Sequence, residues 1–383
     1  MHPIRLSGWR PALLEDLVVL QRGFDITKEQ QKHGNIPVIS SSGVTSFHSE
    51  AKVDGPGVVI GRKGSLGTVH YVDGPYWPHD TTLWGKDFKG NNPRFVFYFL
   101  QTLHLDRYDV GNSNPTLNRN HIHRLKIFLP EKRLQAKIVE VLSAYDDMIE
   151  NNRRRIQLLE ESARLVYKEW FVRLRFPGHE HVKIVDGVPE GWKKFLISEV
   201  CETVGGGTPS TKIAENWNGE IEWIVPTDVT KNDCLFLLES ERRITDKGLR
   251  ESSAKMVPPW TILMTSRASV GYFGLTDKEV CTNQGFINII PFDDDFRMYI
   301  LFNLMDRVNE IRANAKGTTY PEISKGQFRN MSVVLPPKLL AIQFGTVVFS
   351  VIQQIRCLKK ATQRLDSARD LLLPRLMNGE IAV

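Results

Sequence analysis

The sequence predicts an α+β fold: two mixed α/β domains separated by two long antiparallel helices that form a coiled coil, arranged as a pseudo-twofold internal repeat. Three observations predict it: opening motifs that recur at a fixed offset, heptad-patterned segments at equivalent points of the repeat, and short strand-like runs between them. Gly8-Trp9-Arg10 followed by Leu14-Glu15-Asp16-Leu17 returns as Gly191-Trp192-Lys193 followed by Ile197-Ser198-Glu199-Val200, an offset of 183 (8 to 191). Lys63-Gly64-Ser65-Leu66-Gly67 returns as Arg267-Ala268-Ser269-Val270-Gly271 at an offset of 204, and Leu125-Lys126-Ile127-Phe128-Leu129-Pro130 as Met331-Ser332-Val333-Val334-Leu335-Pro336 at 206. The second copy is therefore 21 residues longer (204 against 183) between the first two landmarks. A unit this long is a duplicated domain, not a solenoid repeat of about 20 to 50 residues.

Residues 1–130 form the first domain, with strands at 57–61 and 67–72 around a Gly-rich tip and a helix over 93–105. A long helix over 131–175 follows, its apolar or seam positions falling at Leu134, Ile138, Val141, Tyr145, Met148, Asn152, Ile156, Leu159, Ala163, Val166 and Trp170. Those steps of 3 and 4 make a heptad seam with one stutter at 151–153. Pro177-Gly178 is expected to end it. Residues 176–335 hold a linker and the second domain, with strands at 261–264 and 270–274 and a helix over 296–311. The second long helix spans 336–378, with its seam at Phe344, Val348, Val351, Ile355, Leu358, Ala361, Leu365, Ala368 and Leu372, and a tail of 379–383 closes the chain. Each helix is about 60 Å long at 1.5 Å per residue. Leu142, Ile149, Leu158, Leu165, Val347, Ile352 and Leu371 lie outside the seam, and they are expected either to meet further helices or to broaden it.

With 383 residues, 41% hydrophobic and 25% charged, the chain has the composition of an ordinary soluble protein of two or three domains. Its net charge of +6 suits a polyanionic partner. The N-terminus leads into no apolar run of signal length, and no stretch is expected to reach the ~18 apolar residues of a membrane span, so the expected location is cytoplasmic with no membrane contact. Cys201, Cys234, Cys281 and Cys357 are widely spaced without a CxxC pair, which points to neither a disulfide framework nor a zinc site.

No catalytic grouping emerges. Gly205-Gly206-Gly207-Thr208-Pro209-Ser210-Thr211-Lys212 lacks phosphate-loop order, and Pro209 removes a backbone donor such a loop needs. His179-Glu180-His181 is not an H-E-x-x-H pair, Asp87-Phe88-Lys89 is an isolated nuclease-like trace, and Asn92-Pro93-Arg94-Phe95 breaks an amino-methyltransferase motif at its third position. No metal site is expected. What recurs instead is polar and basic loop chemistry at matched places. The tips offer Arg62, Lys63 and Ser65 in one copy and Ser266, Arg267 and Ser269 in the other. The later loops offer Asn112, Asn114, Arg119 and Asn120 against Thr318, Thr319, Tyr320 and Lys325. Such groups reach phosphates and base edges, and their identities differ between copies, as reading two sequences requires.

On these residues the chain resembles a specificity (S) subunit of a type I restriction-modification system. The resemblance is carried by Tyr167-Lys168-Glu169-Trp170-Phe171 through Phe176-Pro177-Gly178-His179, Gly187-Val188-Pro189-Glu190-Gly191-Trp192, Gly206-Gly207-Thr208-Pro209-Ser210 and Leu372-Leu373-Pro374-Arg375-Leu376-Met377-Asn378-Gly379-Glu380-Ile381. It implies two target-recognition domains reading a bipartite, asymmetric DNA site, with the helices as a ruler. It further implies assembly with two methyltransferase (M) subunits and with restriction/translocase (R) subunits. S-adenosylmethionine, ATP and Mg belong to those partners, and the chain itself is non-catalytic. A stand-alone DNA-binding regulator, or an autonomous nuclease or methyltransferase, are the competing readings.

Overall fold

A computed structural model describes residues 8–108, 116–317 and 320–383. The chain divides into two compact units, Met1–Ile149 with Arg364–Val383, and Glu150–Gln363. Each long helix contributes part of its length to each unit.

In the first unit the repeat landmarks pair with one another. Trp9–Leu13 runs antiparallel to Lys126–Pro130, with Trp9 opposite Pro130 and Leu13 opposite Lys126. The short helix Leu14–Leu17 follows at once, its start held where Leu13 N donates to Asp16 Oδ2 at 2.9 Å and Leu14 N to Leu125 O at 2.9 Å. An antiparallel sheet has the order Val19–Arg22, Thr82–Asp87, Gly57–Gly61, Val69–Val72. Gly57–Gly61 is apolar without alternation because it is central and buried throughout. A second sheet places Ile36–Ser40 between Gly43–His48 and Trp77–Pro78, the last pair parallel. Helix Pro93–Gln101, begun by Pro93 and capped by the Asn92 side chain, lays Phe95 and Phe99 into the core with Leu17, Ile60 and Ile127.

The second unit repeats the plan. Lys193–Leu196 pairs with Ser332–Leu335, Leu196 N donates to Glu199 Oε2 at 2.6 Å, and Ile197 N to Met331 O at 2.9 Å. Its first sheet is Cys201–Gly205, Phe286–Pro291, Ile262–Thr265, Phe273–Gly274, equivalent strand for strand to that of the first unit. The second sheet runs Arg242–Ile244, Trp217–Ile224, Val280–Thr282, Met256–Val257, again with one parallel pair, Trp217–Ile224 with Val280–Thr282. Its extra edge strand, Met256–Val257, lies within the longer stretch of this copy.

Several boundaries differ from expectation for local reasons. The strand expected at 67–72 starts at Val69, and that expected at 270–274 shrinks to Phe273–Gly274, because Gly67 (φ 73°) and Gly271 (φ 81°) are left-handed turn residues. The helix expected over 93–105 stops at Gln101, and 296–311 divides at Arg307 into Arg297–Asp306 and Val308–Ala313. The first long helix is Lys132–Tyr167, continued by a π-helical turn Lys168–Val172 and stopped at Leu174 (φ 56°), before Pro177 is reached. The second is Lys338–Met377, with Pro374 accommodated in its last turn.

Within the second unit the helices run antiparallel: Tyr167 meets Phe344 near the start of the second helix (ring centroids 5.9 Å apart), while Glu160 lies within electrostatic reach of Lys359. In the first unit Arg369 Nη1 donates to Asp146 Oδ1 at 3.0 Å. Ile138, Ile156, Phe344, Val348 and Ile355 are buried, and Leu134, Val141, Tyr145, Leu159, Val166, Val351, Leu358, Leu365 and Leu372 are partly so. Two expected seam positions are not: Met148 is 55% exposed and Ala361 is exposed. Leu142, Ile149 and Ile352, placed outside the seam, are buried, whereas Leu158, Leu165, Val347 and Leu371 face solvent. The stripe is broader than a coiled-coil seam because each helix also packs on globular core, as Leu142 does with Phe95 and Ile352 with Tyr299. Lys338–Met377 contains an 18-residue window of mean hydropathy 1.4, a third of it buried, contrary to the expectation that no stretch would be apolar enough to span a membrane.

Glu222, buried in the second sheet of the second unit, accepts from Ser240 N (2.6 Å), Ser240 Oγ (2.7 Å), Lys278 Nζ (3.1 Å) and Arg243 Nη2 (3.2 Å). Burial pushes its carboxyl up, but the Ser240 hydrogen bonds and the Lys278 ammonium outweigh it and hold the group below its ordinary 4.5. A depressed folded value stabilises above the ordinary value and is lost as pH falls through the lower one. Glu222→Gln is therefore expected to cost about 1–3 kcal/mol at neutral pH. Thermal unfolding should show the gap to wild type closing as pH drops below the ordinary value, and a pH-independent gap would contradict this account.

Candidate nucleic-acid interface

The strand Gly57–Gly61 ends in a tip that folds back on itself. Gly67 N donates to Gly61 O (2.8 Å) and Gly61 N to Thr68 O (2.8 Å). In the second copy Gly271 N donates to Thr265 O (2.9 Å) and Thr265 N to Tyr272 O (2.9 Å). Each tip is tied to the same two neighbours. Arg62 N donates to Thr81 O (2.9 Å), as Ser266 N does to Gly285 O (2.7 Å). Leu117 N donates to Arg62 O (3.0 Å), as Ile323 N does to Ser266 O (3.0 Å), so tip and later loop are adjacent in each domain. Leu117 and Ile323 anchor those loops with buried side chains.

The side chains on this duplicated backbone differ. Lys63 and Ser65 are exposed, and so are Arg267 and Ser269. Arg62 is half-buried; desolvation, then the adjacent Arg22 cation, lower its pKa while Asp80 raises it. Arg119 and Lys325, matched at offset 206, are each the first residue of a short helix, Arg119–His123 and Lys325–Arg329. These helices are capped by Asn118 and Ser324, and Asn120 N donates to the Asn118 side chain at 3.0 Å while the Asn120 side chain is exposed. Tyr320 is 76% exposed. Asn112, Asn114, Thr318 and Thr319 lie outside the described residues.

Two of these residues carry internal ties that the sequence did not show. Ser266 is 3% exposed and its main chain bonds to Gly285 and Ile323, so it shapes the tip and offers no contact outward. Arg267 is exposed and held in an ion pair, its Nε donating to Glu322 Oε1 at 2.8 Å. Sequence reasoning also passed over Arg22, whose Nη2 donates to Asp80 Oδ2 at 2.7 Å, and the pair Thr208 and Gln284, hydrogen-bonded side chain to side chain. Asp25, His79 and Asp80 bring three potential ligand atoms within 4.8 Å of one another, but Asp80 is already committed to Arg22.

Ala268 (φ 57°) occupies the left-handed position that Gly64 (φ 76°) fills in the first copy. Such a conformation costs a side-chain-bearing residue about 1–2 kcal/mol, partly offset by glycine's greater chain entropy. Ala268→Gly is expected to raise stability by up to about 1 kcal/mol in a denaturant titration, and a loss of stability would contradict the assignment of strain.

Two copies of one domain, each presenting a tip and loop locked by the same main-chain bonds but carrying different polar groups, define a duplicated recognition protein. A family profile described as Type I restriction modification DNA specificity domain matches it twice, over residues 7–161 and 189–349. The chain belongs to the family of type I restriction-modification specificity subunits, the non-catalytic members of those systems. It is 34% identical over 181 residues to the type I restriction enzyme MjaIX specificity subunit of Methanocaldococcus jannaschii, an alignment covering 47% of this chain and 42% of that one. It is 24% identical over 360 residues to the HindI specificity subunit of Haemophilus influenzae, covering 76% and 77%. Its fold is similar to the crystal structure of a type I S subunit from M. genitalium, with a TM-score of 0.63, 16% identity and 98% of each chain covered.

Proposed function

We propose that the chain is a sequence-specific DNA-binding subunit that reads a bipartite asymmetric site, one half with each domain, and recruits methyltransferase and restriction subunits to it. One observation carries this reading: the two tip-and-loop faces share four main-chain hydrogen bonds at matched residues, those to Gly61/Thr265, Thr68/Tyr272, Thr81/Gly285 and Arg62/Ser266, and differ in side chains. Rigid scaffolds with exchanged polar groups are what two different half-sites require, because phosphate contacts fix register and base-edge contacts select sequence. The long helices then set the spacing between half-sites. Leu158, Leu165, Val347 and Leu371, large apolar residues left exposed along them, supply the surface for two M subunits, with R subunits joining the complex. S-adenosylmethionine, ATP and Mg act on those partners, in the cytoplasm where the DNA is. The test is to express the chain with the methyltransferase encoded beside it and map methylated adenines across genomic DNA. The expected result is a split motif with two fixed ends and a fixed gap; no motif, or one short continuous motif, overturns the reading.

A further inference from the structure

Beside each hairpin tip, the end of the first sheet strand meets a turn, and the two copies build this junction alike. A Cβ at Gly23 would lie 2.1 Å from His79 O, and one at Gly206 would lie 2.0 Å from Asn283 O. The pairs match at the repeat offsets, 183 for the glycines and 204 for the turns, so the same strand end is pressed on the same turn. Only glycine permits that approach, and the geometry is therefore fixed by backbone.

The polar groups mounted on this fixed junction are unlike. In the first copy Arg22 and Asp80 form an ion pair at 2.7 Å, the Arg22 side chain 55% exposed and that of Asp80 20%. Arg62 stands beside them, and its Nη1 is buried without a hydrogen-bond partner. Asp80 lies within electrostatic reach of both guanidinium groups but pairs directly with Arg22, the more exposed of the two. In the second copy Gly205 replaces Arg22 and Gln284 replaces Asp80. Thr208, from the strand end, donates its hydroxyl to Gln284 Oε1, and both residues are exposed. A cation is still supplied: Lys325 Nζ lies 3.0 Å from where a Cβ on Gly205 would stand.

We propose that this strand-end junction is a specificity-determining element of each domain, in which Arg22 held by Asp80 contacts a guanine of one half-site and Gln284 held by Thr208 contacts an adenine of the other. The inference rests on the reading above that the tips face DNA. A guanidinium offers paired donors that match O6 and N7 of guanine, and a carboxamide offers a donor and an acceptor that match N7 and N6 of adenine. Each reading group has a second residue that orients it, so little side-chain freedom is lost on binding. Asp80 engages only Nη2 of Arg22, which leaves the second Nη2 hydrogen and the N–H beside it as a paired edge, and the contact to the Thr208 hydroxyl holds the Gln284 amide in place.

The experiment maps methylated adenines for the chain co-expressed with its methyltransferase, as wild type and as Arg22→Ala, Asp80→Asn, Gln284→Ala and Gln284→Glu. Each alanine variant is expected to relax one position of one half-site, with discrimination there falling about 5- to 150-fold, and to leave the other half-site and the gap unchanged. Asp80→Asn should relax the same position as Arg22→Ala. Gln284→Glu, nearly isosteric, should move its position from adenine toward cytosine, whose amino group a carboxylate accepts. Thermal melting checks that each variant is folded, and the Glu variant serves if alanine is not tolerated. An unchanged motif in folded Arg22 and Gln284 variants, or uniform weakening of both half-sites, overturns the inference. A wild-type complex that yields no split motif defeats the proposed function itself.

Discussion

Replacing Phe344 with alanine is expected to destabilise the unit Glu150–Gln363 by about 3–5 kcal/mol. The ring is fully buried in the first third of the second long helix and meets Phe171 (centroids 5.0 Å, planes at 87°), Tyr167 (5.9 Å), Trp170 (6.1 Å) and Phe302 (5.8 Å). It is the point at which both long helices and helix Arg297–Asp306 share core. Removing it forfeits the buried surface, opens a cavity between aromatic groups that cannot all collapse inward, and loses edge-to-face contacts. Denaturant unfolding followed by tryptophan fluorescence measures the loss. Val347→Ala, three residues along and exposed, should change stability by no more than about 0.5 kcal/mol. A Phe344→Ala cost as small as that would mean the helix does not depend on this core.

Ending the chain at Gln363 is expected to unfold the other unit. Its core includes Leu376 and Met377, with Leu372, Leu373, Ile381 and Val383 packed at its edge. Arg369 from the same segment bonds Asp146, whose other oxygen accepts from the Tyr98 hydroxyl. Truncation removes these groups together, exposes the faces of Ile138 and Leu142, and strips Asp146 of a partner. Leu376→Ala alone should cost about 2–5 kcal/mol, and a domain's total stability is only about 5–15 kcal/mol. Hydrogen exchange reads the outcome locally: amides of Gly57–Gly61, protected in the full chain, should exchange freely in the truncated one, while those of Ile262–Thr265 in the other unit keep their protection. Retained protection at Gly57–Gly61 would show that the closing segment is dispensable.

The duplication was legible because its landmarks are the residues that close each domain. Trp9–Leu13 and Lys126–Pro130 pair, as Lys193–Leu196 and Ser332–Leu335 do, so the motifs that recur in sequence are the strands whose ends must meet. The long helices were legible from spacing, but which side they bury was not: a 3.5-residue seam placed Met148 inside and Leu142 outside, and globular core contributed by distant residues reversed both. The second sheets escaped notice because they rest on strands as short as Trp77–Pro78 and on parallel pairings between distant segments, 39 positions apart in the first unit (38 to 77) and 58 in the second (223 to 281). At the interface, loops rich in Arg, Lys and Asn announced themselves by composition. Their internal ties did not. Ser266 looks like a free hydroxyl until the turn at Gly285 covers it, and Arg22 looks like an ordinary strand end until Asp80, 58 residues on, closes on it. Such pairs arise from tertiary proximity, and only the internal comparison of two copies marks their positions as equivalent.

Each domain is proposed to read its own half-site from one shared scaffold. The most direct test replaces residues 8–130 with a second copy of 191–336, co-expresses the chimera with the methyltransferase, and maps methylated adenines. The expected motif is split, with the half-site of the second domain at both ends and the half-site of the first domain gone. A chimera that still methylates the original asymmetric motif would contradict the claim.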